Sequence, residues 1–546
     1  MASIYLVEII YLDPVTVTAE PIYACTGTGF AAPDAPMFYA PSVIQAADLD
    51  RTIWSDDRAF GTGKMSLGDI VLSALPLNPG DPPPYDVLQA HGCSVYGIDA
   101  RLLVVDEDGA YADAAVIYAG PLETFEFSGD GTRVTFRWRD AVASLVDKTA
   151  QLTQYLGNNA LPSGVEGVTD LKDKWKPRPF GYVQNVAVPC VNTSLPVFQF
   201  ADSADALPPT SDARVRLMIR GAVMTPGVAR ASLAALLANS ASSGTWDYYI
   251  GAEGAFARPA FAQADDGAVT MDIVEGANSA ARTAAQIWKR MLVSWGVLSG
   301  DISSADITAL DAAFPAEAGL WLGVEEVKRR DAVDQITTSA TAITWRSSGI
   351  WRIRQVTAPS GSPVATFRDF GGGGVTTATD IPIVSLEIIA PDADSGAPTQ
   401  QVKIEYAKNW TVQNRDQVYG ATGMDLARMA FLEKEWRTAS TPVDTAVTDT
   451  YGNARKITIQ SLIYDATAAA NLAASIQALL GKTGAAKRSW LRVTCALNHP
   501  AVPLIQELSL VRIVFPRYGL DAGRLFRACR IAYDAAANVA TFTVWG

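Results

Sequence analysis

Two histidines, His91 and His499, are the only imidazoles in 546 residues. Nucleophilic catalysis needs a base in hydrogen-bond reach of the nucleophile and a third group that orients the base. Each histidine stands alone in sequence, and His499-Pro500 reads as a turn, so neither is assigned a catalytic role. Phe60-Gly61-Thr62-Gly63-Lys64-Met65 has the outline of a phosphate loop. That motif requires glycine five residues before the second glycine and Ser or Thr after the lysine. Arg58 and Met65 occupy those places, so the segment is read as an ordinary loop.

The carboxylate doublets Asp56-Asp57, Asp265-Asp266 and Glu325-Glu326 are poor general acid/base pairs. Glycosidase chemistry holds two carboxylates at a fixed span across a sugar, whereas neighbours on a strand point to opposite faces. Asp106-Glu107-Asp108-Gly109 is the nearest approach to a calcium loop, but aligning its glycine puts Val104 and Ala115 where the first and last carboxylates belong. It is read as a hairpin tip. Gly371 to Gly374 has no lysine and is read as a linker rather than an anion nest. The expectation is no catalytic residue, no metal ligand and no cofactor.

Lys172, Lys174, Lys176 and Arg178, with Trp175 among them, form a short basic stretch. Stacking and cation contacts there suit nucleic acid, but the stretch lies among prolines in a chain of net charge −13. A loop docking on an acidic neighbour, or simply a solvated loop, is the preferred reading, and no specific nucleic-acid binding is expected. Thirteen tryptophans give a glycan-binding reading some basis, although Trp138, Trp288 and Trp345 fall at alternating or helical core positions. Cys25, Cys93, Cys190, Cys495 and Cys529 are dispersed and never form CxxC. They read as buried hydrophobes of a protein assembled in a reducing cytoplasm. The start, Met1 to Glu8, lacks the basic segment of a signal peptide. No apolar run reaches the length of a bilayer span, so no membrane anchor is expected.

The elements that position these residues are mostly strands. Length allows three or four domains. Ile4 to Leu12 is a mostly apolar run, and Val15-Thr16-Val17-Thr18 alternates. Glu123 to Phe127 and Arg133 to Trp138 alternate about the turn residues 128–131, which predicts a hairpin. In the middle, Ser279 to Trp295 carries Ala284, Ile287, Trp288, Met291, Leu292 and Trp295 on one helical face. Ile343 to Val356 reads as a hairpin about Ser347-Ser348-Gly349. Ala466 to Leu480 is a helix closed by Gly481. Strands finish the chain at 490–494, 507–514, 527–533 and 540–545. The fold class expected is α+β, a β-rich multidomain protein. Small β-barrel or sandwich domains stand at both ends with an α/β middle region. The limits are 1–150 for the N-terminal barrel-like domain, 151–200 for a loop-rich connector, 201–375 for the middle and 376–546 for the C-terminal β-rich domain.

Several stretches resemble siphophage tail-tip and baseplate hub proteins. They are Thr153 to Pro162, Gly164-Val165-Glu166-Gly167, Lys176 to Val186, and Pro189-Cys190-Val191-Asn192. Tyr39 to Ile44, Gly68 to Leu72, Val402 to Gln413, and Ile531 to Gly546 are similar to the same group. The resemblance implies paired small β-barrels stacked in a ring, a structural, non-enzymatic hub in the tail tip of a bacteriophage virion. The hub joins the tail tube to tip fibres and lets DNA pass during ejection. It implies a homo-oligomer, a trimer with a hexamer as alternative, and contacts with the distal tail protein, the tape measure protein, tip fibres or other tail-tip proteins. The alternatives are a receptor- or glycan-binding tip protein and a distal-tail ring protein. A cell-wall hydrolase is the least favoured reading. Low charge, 18 % of residues, suits surfaces covered by partners, because interface cores are depleted of charge.

Overall fold

The computed structural model describes residues 3–54, 60–139, 141–159, 164–260, 269–347, 349–369, 377–389, 398–418, 426–452, 454–481, 483 and 488–546. Asp56-Asp57, Arg58, Asp265-Asp266, Ser348 and Gly371 to Gly374 lie outside the described residues.

The chain is β-rich, with several sheets and short helices. Its first part builds a seven-stranded sheet. In spatial order the strands are Thr18–Cys25, Ser3–Asp13, Asp99–Asp106, Ala115–Phe127, Arg133–Trp138, Ile70–Ser73 and Val43–Gln45. The hairpin expected at 123–138 is present, with Phe127 opposite Val134 and Phe125 opposite Phe136. One expectation fails. Residues 14–17 are a turn, and the second strand starts only at Thr18. The Asp13 carboxylate explains this: its Oδ1 accepts the Val15 and Thr16 amides at 2.8 and 3.4 Å, and the Asp13 carbonyl accepts the Val17 amide. Local Asx bonding thereby outcompetes the β propensity of Val15 and Val17.

A nine-stranded sheet closes the chain, running Asp380–Pro382, Ala365–Arg368, Leu510–Val514, Arg524–Asp534, Val539–Trp545, Trp490–Ala496 and Ser385–Ile389. The long strand Arg524–Asp534 pairs with Leu510–Val514 along its first half and with Leu49–Thr52 along its second. Its register against Val539–Trp545 shifts between Ala528 and Arg530. A bulge bends and twists a strand, and here it falls where the partner changes. Lys64–Leu67 continues this branch beside Leu49–Thr52.

The two ends of the chain therefore meet. Val7, Ile9, Leu102 and Phe136 of the first sheet share one core with Phe367, Val493, Phe526 and Phe542 of the last. Each such side chain contributes about 1.5–3 kcal/mol by leaving water. Between them in sequence, two five-stranded sheets pack through Val183, Leu217 and Met271 on one side and Phe200, Trp246 and Tyr248 on the other. A third core gathers the helices Ala284–Ser294, Arg329–Ser339 and Ala466–Leu480 around the hairpin Ala342–Ser347/Ile350–Gln355. The 3/4-spaced face of Ala284–Ser294 is the buried one, including Ile287, Trp288, Met291 and Leu292.

Residues 49–54 and 60–67 act as a strap between these bodies. Trp54 packs on Trp545 and Trp490, with ring centroids 4.6 and 5.4 Å apart. Gly61–Thr62 pairs in parallel with Ala342–Ser347. Arg51 Nη1 donates to Ser347 Oγ at 3.0 Å and lies 2.6 Å from Glu507 Oε1.

Candidate functional site

The residues with chemical potential are engaged within the chain. His91 Nδ1 lies 2.8 Å from Asp13 Oδ2, so this histidine braces the turn of the opening hairpin. The same bond holds the Asp13 carboxyl below the usual carboxylate range. His499 Nδ1 accepts the Ala501 amide at 3.2 Å, and burial pushes its pKa down. In the glycine loop, the Thr62 amide and hydroxyl donate to Asp334 Oδ1 at 2.7 and 2.6 Å, while the Gly63 amide donates to the Thr344 carbonyl at 2.8 Å. A carboxylate and a carbonyl thus occupy the donors that a phosphate would need. Glu325 pairs with Lys174, and Glu326 with Lys328, each at 2.7 Å. The Asp106–Gly109 segment is a turn closed by the Gly109 amide on the Asp106 carbonyl. Among the described residues no group of three or more His, Cys, Asp or Glu is placed to hold a metal ion. No helix among them is long and apolar enough to cross a membrane. Burial raises the Cys25 thiol to about 11 and the Cys495 thiol to about 12.

The basic stretch docks on acidic neighbours of its own chain. Lys176 Nζ reaches Glu166 at 2.7 Å and lies over the Tyr155 ring. Arg178 Nε faces Asp202 Oδ1 at 3.3 Å, with both side chains buried. Burial outweighs the Arg178 attraction and lifts Asp202 to about 6. A carboxyl raised in the fold stabilises it fully below the unfolded value of 3.8 and loses that contribution as pH rises through about 6. The stability of the wild type relative to Asp202→Asn is therefore expected to fall by about 2 kcal/mol between about pH 4.5 and about pH 7. Urea unfolding of both proteins at the two pH values measures this, and a flat or rising difference contradicts it.

All thirteen tryptophans are buried or partly buried, and none is exposed. The exposed aromatic platform that a glycan reader requires is not formed by them.

What remains uncovered is apolar. The strand Ser3–Asp13 is apolar on both faces. Tyr5, Val7, Ile9 and Tyr11 point into the shared core, and Ile4 and Leu6 enter a satellite cluster roofed by Phe30 and Tyr39. Glu8 closes that roof by accepting the Tyr39 and Tyr111 hydroxyls at 2.5 and 2.6 Å. Beyond Glu8 the roof ends. Ile10 and Leu12 stand in solvent, opposite Pro21 and Ala19 of the neighbouring strand. On the other side Leu12 pairs with Ser94, and Tyr96, two residues on, is 60 % exposed beneath the Arg139 guanidinium at 4.6 Å. Val15 and Val17 extend the strip over the hairpin tip, and Val17 is 87 % exposed. The sequence carried a signal for this, because Ile4 to Leu12 lacks the period-two alternation of a strand with one wet face.

Val17 also has a φ of 58°. The left-handed region is costly for a β-branched residue and easily adopted by asparagine. Val17→Asn is expected to stabilise the chain by about 1 kcal/mol, read as a higher Tm. A lowered Tm contradicts the strain.

A second uncovered feature is a cleft of about 470 Å³ between the end of the helix Ser304–Ala313 and the helix Ala466–Leu480. Phe314, Ala316 and Leu472 line it together with the polar Gln355, Thr467, Asn471 and Ser475. Asp465, at its edge, caps its own helix by accepting the Ala468 amide at 2.7 Å.

No protein-family model matches the sequence, and no curated protein matches it. Among solved structures the chain is similar to the 43 kDa tail protein of prophage MuSo2 from Shewanella oneidensis, at 10 % identity and a TM-score of 0.36, covering 93 % of this chain and 96 % of that one. It is similar to the tail protein from Neisseria meningitidis MC58 at 11 % identity and a TM-score of 0.37, covering 99 % and 96 %. For the prophage tail protein gp18 from Listeria monocytogenes EGD-e the values are 7 % and 0.33, covering 100 % and 94 %. All three of these neighbours are tail proteins, two of them from prophages.

Proposed function

We propose that this chain is a non-enzymatic structural subunit of a bacteriophage-type tail, a hub in the tail tip that joins a ring of sister copies and neighbouring tail parts. The domain limits at 150, 200 and 375, with small β-modules toward both ends, belong to the same reading. The observation that carries it is the apolar strip from Ile10 and Leu12 through Val17 to Tyr96, left in water by a chain that roofs the adjoining half of the same sheet face. Contiguous exposed apolar surface rimmed by polar groups marks an interaction site, and exposed Tyr with Arg is typical of interface anchors. The engagement of the histidines, the glycine loop and the Glu325-Glu326 doublet in internal bonds supports a structural role.

Imaging of an intact tail with this chain labelled tests the proposal. Three copies in a ring at the tip are expected. Six copies in a ring beneath the tube assign the chain to a distal-tail ring instead. Absence from the particle overturns the reading.

A further inference from the structure

The last sheet ends on the strand Ser385–Ile389, which pairs with Trp490–Ala496 on one side. Among the described residues no strand pairs with its other side. A bare edge is a row of amides and carbonyls, and an extended backbone is what satisfies such a row.

Other edges of this chain carry devices against strand addition. Pro21 interrupts Thr18–Cys25, Pro226 sits in Thr225–Ala229, and Pro382 ends Asp380–Pro382. Proline has no amide to donate. Arg455–Gln460 opens on Arg455-Lys456, and charge on an edge deters a further strand. Ser385–Ile389 reads Ser-Leu-Glu-Ile-Ile, without proline or lysine, and its register runs unbroken. Leu386 packs on the shared core, while Ile388 and the preceding Val384 are 44 % and 69 % exposed. This edge is open and apolar.

Its single charge selects the occupant. Glu387, the central residue of the strand, accepts Arg492 Nη1 at 2.9 Å across the pair, and its side chain is exposed. A second copy added antiparallel about a two-fold axis at full overlap would set Glu387 opposite Glu387. Like charges directly opposite are unfavourable. A lysine or arginine in that place instead completes a cation–anion–cation row begun by Arg492. We infer that Ser385–Ile389 takes an added strand from a different tail protein. That strand is an extended segment with aliphatic residues beside Leu386 and Ile388 and a lysine or arginine opposite Glu387. The inference rests on the tail reading above and gives that reading one kind of partner.

Hydrogen exchange at Ser385–Ile389 tests it, in the free full-length chain and in purified tails. The amides turned away from Trp490–Ala496 are expected to exchange at least about a hundredfold more slowly in tails than in the free chain. Equal exchange in both overturns the inference and leaves the tail reading standing. Tails that lack the chain overturn the tail reading itself. A photo-cross-linking residue in place of Ile388 is expected to trap a basic, extended segment of another tail protein, and a trapped second copy overturns the inference. Glu387→Lys is expected to keep the wild-type Tm, because the side chain is exposed, and to enter tails about tenfold less well. Entry at the wild-type level overturns the charge match.

Discussion

Glu507→Ala is expected to unfold at a free energy about 3–5 kcal/mol below that of the wild type. Glu507 is 1 % exposed and Arg51 9 % exposed, and the two lie 2.6 Å apart. Removing the carboxylate leaves a guanidinium buried without its counter-charge. The site is also where three stretches of chain converge: Arg51 lies on the strap strand Leu49–Thr52, Ser347 on the middle hairpin, and Glu507 just before the strand Leu510–Val514. Neither Glu507 oxygen receives a hydrogen bond of good geometry, so the pair is an imperfectly compensated buried ion pair. Replacing both partners, as Arg51→Met with Glu507→Leu, is accordingly expected to recover most of the loss, to within about 1 kcal/mol of wild type. Tryptophan fluorescence during urea unfolding is a suitable readout, since Trp54, Trp490 and Trp545 pack beside the same strap. A single-variant loss below about 1 kcal/mol is incompatible with a buried charge.

Gly319→Ala is expected to be as damaging, by about 4 kcal/mol or more, or to prevent folding. Gly319 sits directly opposite Gly181 where Arg178–Ala187 pairs with Gly319–Leu322. A Cβ on Gly319 would lie 1.7 Å from the Tyr182 carbonyl oxygen, and one on Gly181, whose φ is +70°, would lie 2.1 Å from the Ala318 carbonyl oxygen. Both obstacles are backbone and cannot rotate away. The crossing is tied further by Glu275, whose Oε2 accepts the Gly181 amide at 2.7 Å and whose amide donates to the Gly181 carbonyl at 2.7 Å. Overpacking by one methyl elsewhere in a core usually costs about 1–3 kcal/mol because side chains yield; here they have no part in the clash. Gly300→Ala, where a Cβ meets open space, is the control and should change stability by less than about 0.5 kcal/mol. Equal effects at Gly319 and Gly300 would refute the close approach.

The hairpin at 123–138, the Ala284–Ser294 helix and the closing strands were legible because each obeys a local period. Trp490–Ala496 alternates buried and partly buried residues along its length. The opening turn was not legible, since Val15 and Val17 favour a strand and only the Asp13 side chain says otherwise. The candidate surface was half legible. Apolar residues on both faces of Ser3–Asp13 were visible in the sequence, but the point at which the covering loop ends was not.

The amino-acid order by itself determined the β-rich character, the positions of most strands and helices, and the lack of a recognisable catalytic pattern, because these follow from neighbours a few residues apart. Only the tertiary structure decided that residues 49–52 pair with 530–533, that the two ends share one core and that the basic stretch is met by Glu166, Asp202 and Glu325. Such contacts join residues up to hundreds of positions apart. They depend on which faces remain to be buried once every local element has formed, and no local period encodes that.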